Sequence, residues 1–363
     1  MTEPDDFGLS PIQTLAHIGE LARSPRHGSF WKNWAEVIFA SQPRLVERRE
    51  QDPSDPSATS EFESVRHARI GGLLLEPRDS RPRGGVIVLH GYENTPHLST
   101  SADDWRELAD RGLAVLILRI RGYPGSQLDV APVVAHAGPA GGNAWITYGL
   151  DEPVSDRGIG CAWAYSEAIA DVVNAYRALR REFTKTRNGA KLPIAIYGES
   201  FGGGLAIAAA AALAERDEPS RLAIGVPSMG DWPWRLTLPE HAVGGAGGMI
   251  RRHLAMNPGR EAQIIELLRL HDSVLLARRI RCPILCKLAL RDDVVPAPSA
   301  AAIFNALSTA PGLKQRFVTQ YGHFDGGLRD LRRHAAFERL LREFLAAEDP
   351  MDVFQLQEVA HAR

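Results

Sequence analysis

The stretch Ile194-Ala195-Ile196-Tyr197-Gly198-Glu199-Ser200-Phe201-Gly202-Gly203-Gly204 runs into an alanine-rich segment, Leu205 to Ala214. Its apolar, partly β-branched start reads as a buried strand. The alanine-rich end is a helix former. The turn between them must be sharp, and Gly198 and Gly202 flank it because a Cβ at either place would crowd the neighbouring strand and helix. Ser200 then projects its hydroxyl above the sheet, with a helix N-terminus behind it. Taken alone, Gly-x-Ser-x-Gly also fits a glycine-rich turn with an incidental serine. The strand before it and the helix after it make a nucleophile the better reading.

Outward from this stretch the chain alternates. Val86 to Leu89, Ala114 to Ile120, Leu222 to Val226, Ile284 to Leu290 and Gln315 to Thr319 read as further strands. Asp103 to Asp110, Cys161 to Arg181 and Leu328 to Ala347 read as helices. Continuous apolar strands separated by helices predict an α/β fold, a mostly parallel sheet covered on both faces. Phe62 to Leu75 adds one or two strands, with Gly71-Gly72 expected as a bend. Residues 1–60 are expected to be an N-terminal helical extension ending in a linker, Gln51 to Ser60. Within that extension Phe30, Trp31, Trp34, Val37 and Ile38 recur at helical spacing. The main domain is expected over 61–348 and a tail over 349–363. Asp231 to Ser273 interrupts the alternation and is too long for an ordinary connection, so an inserted cap is expected there, over about 231–273.

Composition narrows the function. The chain has 363 residues, 42 basic against 44 acidic, for a net charge of −2. No bulk attraction to nucleic acid or to a membrane surface follows from that balance. No apolar run reaches membrane-spanning length, and Met1 to Asp6 is acidic, without the apolar core of a signal peptide. Cys161, Cys282 and Cys286 form no disulfide framework and read as buried reduced thiols. A cytoplasmic protein is expected.

A serine hydroxyl needs a base, and the base needs an orienting carboxylate. In the hydrolases whose serine sits on such an elbow, the order is serine, acid, histidine. Here Arg291-Asp292-Asp293-Val294-Val295-Pro296 follows one predicted strand and Gln320-Tyr321-Gly322-His323-Phe324 follows the next. Both loops leave carboxyl ends of strands, the edge that carries Ser200. Ser200, Asp292 and His323 are therefore the candidate triad, with Asp293 and Asp231 as rival acids. The developing oxyanion needs donors: the backbone N–H of Phe201, and that of Tyr92 in the loop His90-Gly91-Tyr92. Trp232 and Trp234 of the cap are candidate substrate contacts. No metal-ligand spacing is present, and neither metal nor cofactor is expected.

Several segments together resemble the acetyl xylan esterase and cephalosporin C deacetylase family of α/β hydrolases. They are His90-Gly91-Tyr92; Arg121-Gly122-Tyr123-Pro124-Gly125-Ser126; Ile146-Thr147-Tyr148-Gly149-Leu150-Asp151; Tyr165 to Leu179 with Asp171; Gly198 to Gly203; Asp292 to Pro296; and Tyr321-Gly322-His323. Phe30-Trp31 matches an N-terminal element of that family. Phe201 stands where the family carries glutamine, and Tyr123-Pro124 where it carries Gln-Gly. The resemblance spans roughly residues 28–345. It implies a Ser200–His323–Asp292 triad with Tyr92 and Phe201 amides as the oxyanion hole. It also implies removal of acetyl or other short acyl groups from small acetylated sugars or antibiotics, without a metal, in a homo-oligomer, often a hexamer. The rival readings are a general carboxylesterase, amidase or peptidase on the same fold, or a non-enzymatic binding protein. The last of these would be expected to lack one triad member.

Overall fold

The computed structural model describes residues 7–47, 59–92, 102–126, 145–153, 162–186, 191–239, 244–323 and 327–354. At its centre lies a nine-stranded sheet in the order β1-β2-β3-β5-β4-β6-β7-β8-β9. β4 (Gly84–Leu89), β5 (Leu113–Leu118), β6 (Ile194–Glu199), β7 (Arg221–Gly225), β8 (Ile284–Arg291) and β9 (Lys314–Tyr321) are mutually parallel. β1 (Val46–Glu47), β2 (Ser60–Glu63) and β3 (Arg69–Leu75) join antiparallel at one edge. The inner strands are buried on both faces, which is why β4 and β5 read as unbroken apolar runs.

Alternate strand residues feed two cores. Ile87 and Leu89 point to the layer holding α2 (His27–Ala40), α4 (Ala164–Thr186), α5 (Phe201–Leu213) and α10 (Ala297–Ala306). Val86 and Val88 point to the layer holding α3 (Arg106–Asp110) and α11 (Gly327–Ala346). Every residue of α5 is buried, so its small alanine face all round is a packing requirement and not merely a helix preference. α1 (Pro11–Ala16) is tied down by Asn305 and Arg316, whose side chains donate to Leu15 O at 3.0 and 2.8 Å. Trp31 of α2 donates its indole N–H to Leu270 O at 2.7 Å. The segment expected as an inserted cap contains α6 (Trp232–Arg235), α7 (Gly245–Met256) and α8 (Glu261–Leu270), followed by α9 (Ser273–Ala277).

Two details differ from the sequence reading. Gly71-Gly72 is not a bend; both lie inside β3. The bend falls at Val65–His67, where Arg66 and His67 take φ values of 57° and 58°. Gly72 is needed for close approach, since a Cβ there would stand 2.9 Å from Ile117 O of β5. The expected tail begins as packed helix: residues 350–354 are helical, and Phe354 stacks on Phe344 at 5.4 Å. Cys161, most of the expected linker and the end of the tail lie outside the described residues.

Buried imidazoles make the fold acid-sensitive. Burial lowers His90 to about 4 and His271 to about 3. His271 is satisfied as a neutral ring, its Nδ1 2.9 Å from Leu267 O and its Nε2 2.9 Å from Ser166 Oγ. The unfolded chain takes up these protons from about pH 6.5 downward while the fold does not, so stability present above that pH is lost as pH falls. Asp272 acts in the opposite sense. Burial pushes it up to about 6, so the fold holds a proton that the unfolded chain releases. His27 is likewise lowered to about 4 and His253 is lowered, both by burial, while Glu167 is raised by burial as Asp272 is. The histidines outnumber the carboxyls, so the net effect is stability lost as pH falls below about 6.5. Urea unfolding at pH 7, 6 and 5 measures it. A stability that is flat over that range would contradict this assignment.

Candidate active site

The elbow is built from backbone contacts that only glycine permits. A Cβ at Gly198 would lie 2.3 Å from Gly202 O, and one at Gly202 would lie 2.7 Å from His90 O. The start of α5 is thereby pressed against both its own strand and the loop after β4. Ser200 takes φ 55° and ψ −117°, a strained conformation for a residue with a side chain, worth about 1–3 kcal/mol. Surrounding hydrogen bonds hold it there: Ser200 N donates to Gly225 O at 2.8 Å, and Gly204 N and Ser228 N donate to Ser200 O at 3.1 and 3.0 Å. The Ser200 hydroxyl does not cap α5, which leaves it for chemistry at the positive end of a buried helix.

Asp292 and His323 meet at the ends of β8 and β9. His323 Nδ1 lies 2.8 Å from Asp292 Oδ2 and 2.9 Å from Oδ1. Asp292 Oδ1 also accepts from the N–H groups of Val294 and Val295, each at 2.8 Å. With Nδ1 donating to the carboxylate, the Nε2 lone pair is the one left for proton transfer. Both residues are buried, at 6% and 3% exposure. Asp293 has a different task, accepting from His323 N at 3.2 Å. Asp231, the third acid considered, is turned elsewhere: its Oδ2 pairs with His17 Nε2 at 2.9 Å and accepts from Ser299 Oγ at 3.4 Å. The geometry gives the histidine to Asp292.

Tyr92 and Phe201 stand on either side of the same opening. Their rings meet edge-on at 5.5 Å, and both pack on Trp145. Phe201 is fully buried, so it contributes backbone N–H and packing and no side-chain polarity. Tyr92 OH accepts from Ile146 N at 3.4 Å. His90, just before, is neutral and 2% exposed, with Nδ1 2.8 Å from Gly91 O. It holds the loop. Beneath the elbow, Lys287 Nζ lies 2.5 Å from Glu199 Oε1, close enough for an ion pair though without hydrogen-bond geometry.

A cavity of about 540 Å³ brings these parts together. Tyr92, Ser200, Phe201 and His323 line it, together with Arg235 and the α7 start from Gly244 to Gly247. Neither of the last two was expected as a site element from sequence, where the Gly244 to Gly248 cluster read only as part of the inserted segment. Trp232 and Trp234, expected as substrate contacts, are not among the lining residues. Trp232 is 1% exposed behind the wall, with the Arg235 guanidinium over its ring at 4.8 Å. Trp234 packs on Phe7 and His17 at 5.4 and 5.0 Å.

A parallel sheet, a strained serine at a strand-to-helix elbow and a histidine–carboxylate pair at the same sheet edge define an α/β hydrolase. The chain matches the acetyl xylan esterase (AXE1) family model over residues 28–335 and belongs to that family, which makes it a carboxylic-ester hydrolase acting on acetyl esters. Among solved structures it is similar to acetyl xylan esterase 1 from Thermoanaerobacterium sp. JW/SL YS485, at 21% identity and a TM-score of 0.68 over 93% of this chain and 98% of that one. It is also similar to the acetyl xylan esterase from Paenibacillus sp. R4, at 23% identity and 0.69 over 92% and 99%. An acylaminoacyl peptidase from Pyrococcus horikoshii shares the fold at 15% identity and 0.53, over 84% of this chain but only 41% of the peptidase. No described helix is long and apolar enough to cross a membrane.

Proposed function

We propose that Ser200, His323 and Asp292 act as a catalytic triad that removes acetyl groups from small acetylated substrates. The observation that carries this reading is the 2.8 Å contact between His323 and Asp292 at the cavity that Ser200 also lines. His323 Nε2 takes the Ser200 proton as Oγ attacks the ester carbonyl carbon. The carbonyl π pair moves to oxygen, where the N–H groups of Tyr92 and Phe201 receive it. Collapse expels the alcohol, which takes the proton from His323 and leaves an acetyl-serine. Water then repeats the sequence, its proton passing to His323 and on to Ser200 Oγ as acetate departs. Asp292 holds the imidazole tautomer and stabilises the imidazolium throughout.

The test is hydrolysis of 4-nitrophenyl esters from acetate to octanoate. A rate falling steeply beyond acetate is expected. A preference for longer chains would keep the triad and move the protein to the general carboxylesterases; turnover of no ester would overturn the reading. The proposal extends to a cytoplasmic homo-oligomer, a hexamer by family resemblance. The exposed apolar residues Ile12 and Ile18 of the N-terminal segment support association, and sedimentation velocity measures it.

A further inference from the structure

Asp104, Glu199, Arg235, Glu338 and Arg342 are charged side chains that line the cavity and that the triad leaves unused. Glu199 pairs with Lys287 and Glu338 with Arg342, whereas Arg235 has no such partner among the described residues. It is 1% exposed, yet its Nε and Nη1 are buried without a hydrogen-bond partner among the described residues. No carboxylate forms an ion pair with it among the described residues, although Asp231, Asp272 and Asp292 lie near enough to act on it through space. Burial lowers it to about 10, which leaves it charged at neutral pH. Orphaned donors on a buried guanidinium are costly. The guanidinium lies over the Trp232 ring at 4.8 Å, and the Arg235 backbone is tied by Arg251 Nη1, which donates to Arg235 O at 3.3 Å.

A second feature of the same wall favours negative charge. α7 is 12 residues long and begins at the cavity, where Gly244, Gly245, Ala246 and Gly247 all line the space. No described side chain caps it, and no acidic residue lies in its first turn. Gly244 N donates to Val294 O at 3.2 Å, which ties this helix start to the loop that carries Asp292. A helix N-terminus beside an unpaired arginine is an anion site with a shape suited to a planar, two-oxygen group.

We propose that Arg235 and the N-terminus of α7 form a carboxylate-binding subsite beside Ser200, so that the favoured acetyl esters are those whose alcohol portion carries a carboxylate. The charge belongs to the alcohol because a two-carbon acyl group has no room for one. The assignment rests on the esterase reading above and gives its substrate class a sign.

The test compares kcat/KM for 4-acetoxybenzoate with that for its neutral analogue 4-acetoxybenzamide, each normalised to its rate of hydrolysis by hydroxide. The carboxylate is expected to be preferred about 10- to 100-fold. Arg235→Met should bring that ratio to about one, and Arg235→Lys, which keeps charge and loses the fork, should retain part of it. Because the readout is a ratio within one protein, a general loss of activity cancels. An equal ratio in the wild type, or one unchanged in Arg235→Met, overturns the subsite. Calorimetric titration of both compounds into Ser200→Ala decides it without turnover: tighter binding of the acid supports it, and equal affinity overturns it. Absence of any ester turnover by the wild type would strike the esterase reading alone, since the titration would still report on Arg235.

Discussion

Replacing Ser200 by alanine is expected to give a folded protein whose ester turnover is lower by about four to six orders of magnitude. The fold should survive because the elbow is held through main-chain atoms: Ser200 N to Gly225 O, and Ser200 O from Gly204 N and Ser228 N. The hydroxyl caps nothing, and alanine at φ 55° is strained no more than serine. Turnover should collapse because no other atom at this position can form the acyl intermediate. The Asp variants grade the same site. Asp292→Asn should cost about 10⁴-fold, since an amide facing His323 Nδ1 favours the wrong tautomer. Asp293→Asn keeps an acceptor for His323 N and should cost about tenfold or less. Initial rates with 4-nitrophenyl acetate, alongside circular dichroism and a thermal melt, measure all three. Near-normal turnover by folded Ser200→Ala would remove Ser200 from its role, and a reversed ranking of the two aspartates would move the acid.

The parts of this site that were legible in sequence are those written locally. Gly198-Glu199-Ser200-Phe201-Gly202 announces itself because strand, elbow and helix follow one another along the chain. The order of acid and histidine follows from strand ends, as does their shared edge. The choice among three aspartates needed more than local pattern. Asp231 leaves contention because His17, 214 positions away, holds its carboxylate, and no periodicity encodes such a pairing. Trp232 and Trp234 illustrate the converse. Their aromatic character suggested a pocket, but α6 is one turn long and turns both away from the cavity, while Arg235 at its end faces the cavity. Short helices give too few residues for a face to be read. Gly71-Gly72 misled for a related reason, since glycine serves close strand approach as readily as a turn.

Arg121→Met is expected to destabilise the protein by about 3–5 kcal/mol. Arg121 is fully buried and forks onto Asp171, with Nε to Oδ2 at 2.9 Å and Nη2 to Oδ1 at 2.6 Å, while Nη1 reaches Glu167 Oε2 at 2.6 Å. Burial pushes the Glu167 carboxyl up even with Arg121 and Arg66 beside it. Methionine would fill the volume but leave the fully buried Asp171 without its cation, so the cost comes from the stranded carboxylate and not from poorer packing. The consequences reach the site. Arg121 O accepts from Trp145 Nε1 at 3.0 Å, and Trp145 packs against both Phe201 and Tyr92, whose amides are the proposed oxyanion donors. Arg121→Lys keeps charge but not the fork and should fall between wild type and Arg121→Met. Removing the Asp171 carboxylate as well, in Arg121→Met/Asp171→Leu, should recover part of the loss, because Asp171 no longer strands a charge and Glu167 keeps Arg66 at 2.8 Å. Urea midpoints at pH 7 read the whole cycle. A loss below about 1 kcal/mol in Arg121→Met would mean that the chain relaxes to hydrate Asp171, and that the cluster is not what holds Trp145 against Tyr92 and Phe201.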